Sequence, residues 1–422
     1  MAKEKVKNNE PFNAGLVTSI IAFLFVAMGD VNIVAKIISM FFMVTYGSIC
    51  LISFMQYFAA DPSYRPSFKS YWVFSLIGTI MTIYLMFKMD SLFAFLAIFF
   101  MVIIYLVITK TKEDKEGLTK IFQGVIFQIS RRLQVFLQTS EKDSDNWRPS
   151  MICISADTFK RNSAFSLMSW VSHRYGFGTY IHYINGYFSK DTHRQSAIEL
   201  RRLIKLSEGL ESNVYVDTII SPSLTSAIAQ AIQLPSVSGR DINMILFEYS
   251  KDEPDTILQI LENFNLVRSA DFDIMILGSS NRNFGVKANI HIWITRSDID
   301  NGSLMILLSY VIIGHPAWKK SKISIFALLP EDKLDEYQND VKETIRDGRL
   351  PISPRNVEVI IQKEDVSFKS MINSKSKDAD LTIIGVHSDA IKQRGEEFFT
   401  GFDGIGGVMF VNAHRSKKIV ED

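Results

Sequence analysis

Apolar residues fill the first quarter of the chain in four long stretches, 13–29, 31–58, 72–87 and 91–109, separated by short polar junctions. Each is near the ~20 residues that cross a hydrocarbon core, the third being short and extended by its flanks. Runs of this length do not read as strands, so they predict four membrane-spanning helices. A secretory signal would end at a small-residue cleavage site and give way to polar chain, whereas apolar segments here continue to Ile108.

The next segment, 112–146, is polar and charged, with Ile121, Val125, Ile129, Leu133 and Leu137 at a spacing of four. That spacing predicts an amphipathic helical connector. Its apolar face could pack on the domain that follows or lie on a membrane surface. The first reading is preferred, because Arg131 and Arg132 are its only adjacent basic pair.

From Trp147 the pattern changes to short apolar runs between helical stretches. Runs at 151–155, 179–185, 213–220, 244–249 and 273–277 predict buried strands, rich in Ile, Val and Tyr and bounded by polar turns. A second series follows at 289–295, 322–329, 356–361, 381–386 and 407–412. Helices are predicted at 191–208, 223–232, 302–313, 331–346 and 367–377, with Ser221-Pro222 marking a strand end that leads into a helix. Such alternation gives a mostly parallel sheet with helices on both faces. The recurrence suggests two related α/β halves with a boundary near 278–287. The predicted organisation is therefore a membrane segment at 1–110, a connector at 111–146, and cytoplasmic halves at 147–285 and 286–422.

The junctions carry unequal charge. Lys3, Lys5 and Lys7 precede the first helix, Arg65 and Lys69 separate the second from the third, and Lys110, Lys112 and Lys115 follow the fourth. The other two junctions hold only Asp30, and Lys88 with Asp90. By the positive-inside rule both ends of the four-helix block face the cytoplasm, which makes this a multi-pass protein of the cell membrane with a cytoplasmic C-terminal domain. The formal net charge of +1, with basic residues scattered, excludes nucleic acid as a partner by bulk electrostatics. The two cysteines, Cys50 and Cys153, read as reduced structural thiols.

Chemistry-bearing residues are few. Lys36, early in the second span, is costly in lipid unless it snorkels toward the interface near Asp30. Tyr46 sits deeper, among Thr45, Gly47 and Ser48. This small polar cluster could serve close helix packing, or the phenol could hold an anion. The histidines show no metal-ligand spacing, so no metal site is expected. The loop 278–285 (GSSNRNFG) could offer backbone N–H groups to a nucleotide phosphate, but it lacks the residues of a P-loop or a dinucleotide fingerprint. It reads better as an ordinary joint between halves. The glycine-rich stretch 401–407 precedes a strand and reads as a turn. No nucleophile–base pair, carboxylate dyad or cofactor fingerprint supports an enzyme.

Several runs together resemble a known family. The segment 30–46 (DVNIVAKIISMFFMVTY) and then 64–69 (YRPSFK) are similar to the late membrane helices of the cation–chloride cotransporters. The segment 146–149 (NWRP) resembles that family's entry into its cytoplasmic domain, and 292–294 (IWI), 300–304 (DNGSL) and 318–323 (WKKSKI) resemble its segment joining two cytoplasmic halves. The resemblance implies symport of chloride with sodium, potassium or both, by alternating access in a fold of about twelve helices with an inverted repeat. It implies that Tyr46 falls on a chloride-binding tyrosine, and that the cytoplasmic domain has paired universal-stress-protein-like halves and mediates homodimers. Lys36 stands where the family usually has proline. The resemblance also implies that the chain starts at the family's ninth helix, so that it needs the earlier helices, in cis or as a separate chain, to transport. The discriminating residues for sodium–potassium–chloride against potassium–chloride symport belong to those earlier helices. The alternative reading is a membrane-tethered regulatory or sensor module whose α/β domain binds a nucleotide or a protein.

Overall fold

The computed structural model describes residues 12–27, 29–60, 71–111, 116–139, 147–329, 356–361 and 367–417. Lys3, Lys5, Lys7, Arg65, Lys69, Lys112 and Lys115, the run 64–69, Asn146 and the helix expected at 331–346 lie outside the described residues. The chain divides into two compact units, Met1–Phe136 and Leu137–Asp422.

The first unit is helical: α1 (Phe12–Ala27), α2 (Val31–Ala59), α3 (Trp72–Met89), α4 (Ser91–Thr111) and α5 (Glu116–Thr139). Aspartates start two of these helices. Asp30 accepts hydrogen bonds from the Asn32 and Ile33 N–H groups, and Asp90 accepts from those of Leu92 and Phe93, so each carboxylate covers donors that a helix start leaves open. Small residues let the helices approach: a Cβ on Gly47 would lie 3.2 Å from Thr82 Cγ2, and one on Gly78 would lie 3.1 Å from Cys50 Sγ. The core of this unit is slight, built on Met40, Met86, Ala94 and Ala97. Most other apolar side chains face outward, Phe23, Phe42, Phe74 and Phe95 among them, an arrangement that suits lipid and not water. Among the described residues α2 and α3 are long and apolar enough to cross a membrane by length and composition.

The second unit is α/β. Its strands are β1 (Ser150–Ser155), β2 (Phe177–Asn185), β3 (Tyr215–Ser221), β4 (Met244–Ser250), β5 (Asp273–Ser279), β6 (Asn289–Thr295), β7 (Lys322–Leu329), β8 (Val357–Ile361), β9 (Leu381–Gly385) and β10 (Gly407–Asn412). They form one sheet in the order β3-β2-β1-β4-β5-β10-β9-β6-β7-β8. Every pairing is parallel except the seam, where β5 and β10 run antiparallel with Ile276 opposite Phe410. Read inward from either edge, each half has the same order of its own first to fifth strands, 3-2-1-4-5. An antiparallel seam between equivalent strands makes the halves related by an approximate two-fold axis through it.

The described helices of this unit are α6 (Ser163–Ser172), α7 (Lys190–Gly209), α8 (Leu224–Gln233), α9 (Thr256–Arg268), α10 (Ile299–Ile313), α11 (Phe368–Lys375) and α12 (Ser388–Arg394). Strand alternation sends Met151 and Cys153 into one core with α6 and α10, and Ile152 and Ile154 into a second core with α8 and α9. Each half thus has its sheet covered on both faces, which is why its strands read as nearly continuous apolar runs.

Candidate functional site

Tyr46 lies next to the middle of α2 (Val31–Ala59), and what distinguishes it is the face it occupies. Met40, Val44 and Gly47 turn toward α3 and α4, whereas Tyr46 stacks on Phe42, one turn earlier, with ring centroids 6.3 Å apart, and is 61% exposed. Its phenol makes no hydrogen bond among the described residues. The hydroxyls beside it are already used. Thr45 Oγ1 donates to Phe41 O at 2.8 Å, and Ser48 Oγ donates to Val44 O at 2.7 Å and lies 3.4 Å from Met101 Sδ. The expected polar stripe along Thr45, Tyr46 and Ser48 therefore does not form a single open site: side chains one and two residues apart point about 100° and 200° round a helix, and two of the three satisfy themselves on their own backbone.

Lys36 also finds a partner other than the one nearest in sequence. Its Nζ lies 3.0 Å from Asp90 Oδ2, at the junction of α3 and α4, while Asp30 caps α2. The ammonium is carried to a helix junction, as snorkelling requires.

In the α/β unit the place to look is the carboxyl edge of the strands where chain order reverses, between β1 and β4 in one half and between β6 and β9 in the other. Both crevices hold a carboxylate of the chain itself at the start of the following helix. In the first half, Glu248 Oε2 accepts weakly from the Ala164 N–H of α6, at 3.4 Å. Burial pushes the Glu248 pKa above the ordinary carboxylate range, opposed by a hydrogen bond from Ser279 and by the charge of Arg161. Arg161 is itself held by Asp157 at 2.7 Å, and Thr158 bonds the His182 ring at 2.9 Å. Burial lowers the His182 pKa.

In the second half, Asp298 accepts from Thr295 N–H at 3.0 Å, from the Thr295 hydroxyl, and from Asn301 Nδ2 at 3.2 Å. Asn301 in turn accepts from Ala413 N–H at 2.8 Å, and Asn412 Nδ2 donates to Val386 O at 2.8 Å. Gly385 faces this carboxylate so closely that a Cβ would lie 1.9 Å from Asp298 Oδ1. The Asp298 side chain makes no hydrogen bond to the N–H groups that open α10; it fills the space between β6 and β9 instead.

The glycine-rich segments are tied down by side chains from elsewhere in the fold. Asp380 accepts from the N–H groups of Val286, Ala288 and Asn289 at 3.1, 2.6 and 3.1 Å, which makes the loop after β5 a joint between halves. Around 401–407, Asn373 bonds Gly401 O and Gly404 N–H, and Lys251 Nζ donates to the carbonyls of Phe402, Ile405 and Gly406. Glu248, Asp298 and Asp380 were not apparent as a set in the sequence. Only Asp298, a helix-capping residue type three positions after a strand end, offered a local signal.

No family model matches the chain. In sequence it is 21% identical over 346 residues to potassium/chloride cotransporter 3 of Caenorhabditis elegans, covering 77% of this chain and 32% of that protein. It is 23% identical over 367 residues to cation-chloride cotransporter 1 of Oryza sativa subsp. japonica, covering 81% of this chain and 36% of that protein. Among solved structures, the cytoplasmic domain of a prokaryotic cation chloride cotransporter matches 64% of the chain, and the chain 96% of it, with a TM-score of 0.45 and 16% identity. A universal stress protein from Archaeoglobus fulgidus DSM 4304 matches 63% of the chain and is matched over 96% of its own, with a TM-score of 0.42 and 12% identity.

The class defined by the fold is a helical membrane segment joined to a two-halved α/β unit. The sequence is similar to cation–chloride cotransporters over about four-fifths of its length, as the runs quoted above indicated. The relatives are named as transporters and not as enzymes, and the chain spans about a third of their length.

Proposed function

We propose that this chain is part of a secondary active symporter that moves chloride together with potassium, sodium or both across the cell membrane. The reading rests on one observation above others: the match to cotransporters takes in more of the chain than the larger unit holds, so it includes residues of the membrane segment as well as of the α/β unit. In this reading α1 to α4 are four spans of a multi-pass protein, and α1 and α4 owe that assignment to their apolar pattern. The α/β unit is cytoplasmic and serves homodimerisation and regulation. Transport requires the helices that complete the fold, in cis or as a separate chain.

Tyr46 is the proposed chloride ligand. A phenol O–H that points away from α3 and α4, with no partner among the described residues, suits an anion held between α2 and helices packed on its outer face. Chloride in a dry site is favoured by a few well-aimed donors, and a helix N-terminus on the opposite side would supply the complementary dipole. The self-filled crevices of the α/β unit favour a scaffolding role over nucleotide sensing. The test is uptake of rubidium, a potassium substitute, in cells producing this chain alone and with any further helices encoded beside it, in chloride and in gluconate. Uptake that needs both chloride and the additional helices supports the reading; uptake at background in every combination removes it.

A further inference from the structure

The connector helix α5 has two stripes with different fates. Gly124, Gln128 and Arg132, at a spacing of four, dock on the end of α2. A Cβ on Gly124 would lie 2.7 Å from Ala59 Cβ, Gln128 Nε2 donates to Ala59 O at 3.3 Å, and the Arg132 guanidinium lies 5.2 Å from the centroid of the Phe58 ring. About a third of a turn further round, Phe122, Ile126, Ile129 and Leu133 make a continuous stripe that is 47, 60, 45 and 56% exposed. Gln123 and Ser130 form a polar flank beyond the stripe, about a quarter turn from its centre, with Phe127 past them.

Single exposed apolar residues are ordinary on a protein surface, but four large ones in a row on one helix face need a covering. The docked stripe indicates what that covering is. It fixes α5 at the Ala59 end of α2, a 29-residue apolar helix. At 1.5 Å per residue α2 is about 43 Å long, against a hydrocarbon core of about 30 Å, so its end reaches headgroup level. We propose that α5 is an interfacial helix, its Phe122–Ile126–Ile129–Leu133 stripe seated in the boundary between headgroups and acyl chains of the leaflet at that end of α2. Helices of this kind bury their apolar face about 5–10 Å into that boundary. Arg131 lies on the side of α5 turned away from the stripe, and Arg132 is held over the Phe58 ring, so neither charge interrupts the apolar face. This takes up the membrane-surface alternative for the connector.

The test uses the full chain, reconstituted into vesicles of phosphatidylcholine and phosphatidylglycerol, with Cys50→Ala and Cys153→Ala to remove the native thiols. An environment-sensitive fluorophore is attached at Ile126→Cys, at Leu133→Cys, or, for comparison on the polar flank, at Ser130→Cys. All three positions are on the surface of the helix, so their labelling leaves the packed core untouched, and the Ser130 protein reports independently on whether the background folds. The proposal expects the labels at 126 and 133 to be quenched more by lipids carrying a nitroxide near the headgroup than by lipids carrying one near the chain end. The label at 130 should respond instead to aqueous iodide. Labels at 126 and 133 that follow iodide as the Ser130 label does would overturn it. So would labels shielded from both quenchers, which would place a second copy of the chain, or the 137–422 unit, on the stripe.

Discussion

Replacing Lys417 by methionine should destabilise the α/β unit by several kcal/mol, a large effect for a residue so near the end of the chain. After β10 the chain turns back toward the start of β5, its partner across the seam. His414 N–H donates to Asp273 Oδ1 at 2.9 Å, Lys417 Nζ lies 2.8 Å from Asp273 Oδ2, and Lys417 N–H donates to Ser303 Oγ at 2.9 Å. The Asp273 and Lys417 side chains are only 1% and 10% exposed. At 2.8 Å and an effective dielectric constant of about 20 the two charges attract by about 6 kcal/mol, most of which offsets the cost of taking both from water. Removing one partner leaves that cost uncompensated, and measured losses for buried pairs are about 3–5 kcal/mol. Lys417→Met keeps most of the aliphatic stem, which carries the Nζ to within 5.9 Å of the Trp147 ring centroid, so the loss reports on charge. Asp273→Asn combined with Lys417→Met removes both charges, leaves an oxygen for the His414 N–H, and should recover most of the stability. Urea unfolding of residues 137–422, followed by Trp fluorescence, measures all three proteins. A loss under about 1 kcal/mol for Lys417→Met, the value of an exposed pair, would refute the reasoning.

Two further predictions concern the crevices. Gly385→Ala places a methyl group against Asp298 Oδ1, and the shift this forces should cost at least the ~1–3 kcal/mol of ordinary overpacking, read as a lower urea midpoint. The raised pKa of Glu248 makes the native state bind more protons than the unfolded chain above the ordinary glutamate range. Its contribution to stability is therefore full at acid pH and falls as pH rises through the folded-state value, and Glu248→Gln should flatten that fall in urea titrations made from acid to neutral pH.

The sheet was legible because its strands are buried on both faces and so read as apolar runs; all ten expected strands are present, with ends shifted by a residue or two. α10 also begins three residues earlier than its apolar pattern, with Ile299, Asp300 and Asn301 ahead of the periodic stretch. α6 escaped because nine of its ten residues are buried and it shows no polar face to set a period. α12 escaped for the opposite reason, having no buried residue at all. The antiparallel seam was not legible, since nothing local in β5 or β10 says that strands more than a hundred residues apart will pair. The same holds for the crevices: Glu248 lies on β4 and meets α6 across the sheet edge, a neighbour that only the strand order creates. In the membrane segment, composition showed where polar groups fall along α2, but the helical turn separates Tyr46 from the hydroxyls of Thr45 and Ser48, and the Asp90 partner of Lys36 comes from 54 residues away.

The most direct test of the central claim is the chloride dependence of rubidium uptake in cells producing the chain with its completing helices, compared between the native protein and Tyr46→Phe. The phenyl ring preserves the stacking on Phe42 and removes only the O–H, so protein amount and membrane insertion should be unchanged. Uptake should saturate with chloride in the native protein and need roughly ten- to a hundred-fold more chloride in the variant, since a lost hydrogen bond to a charged partner is worth about 1.5–3 kcal/mol. Uptake indifferent to chloride in the native protein, or a variant with an unaltered chloride dependence, would contradict it.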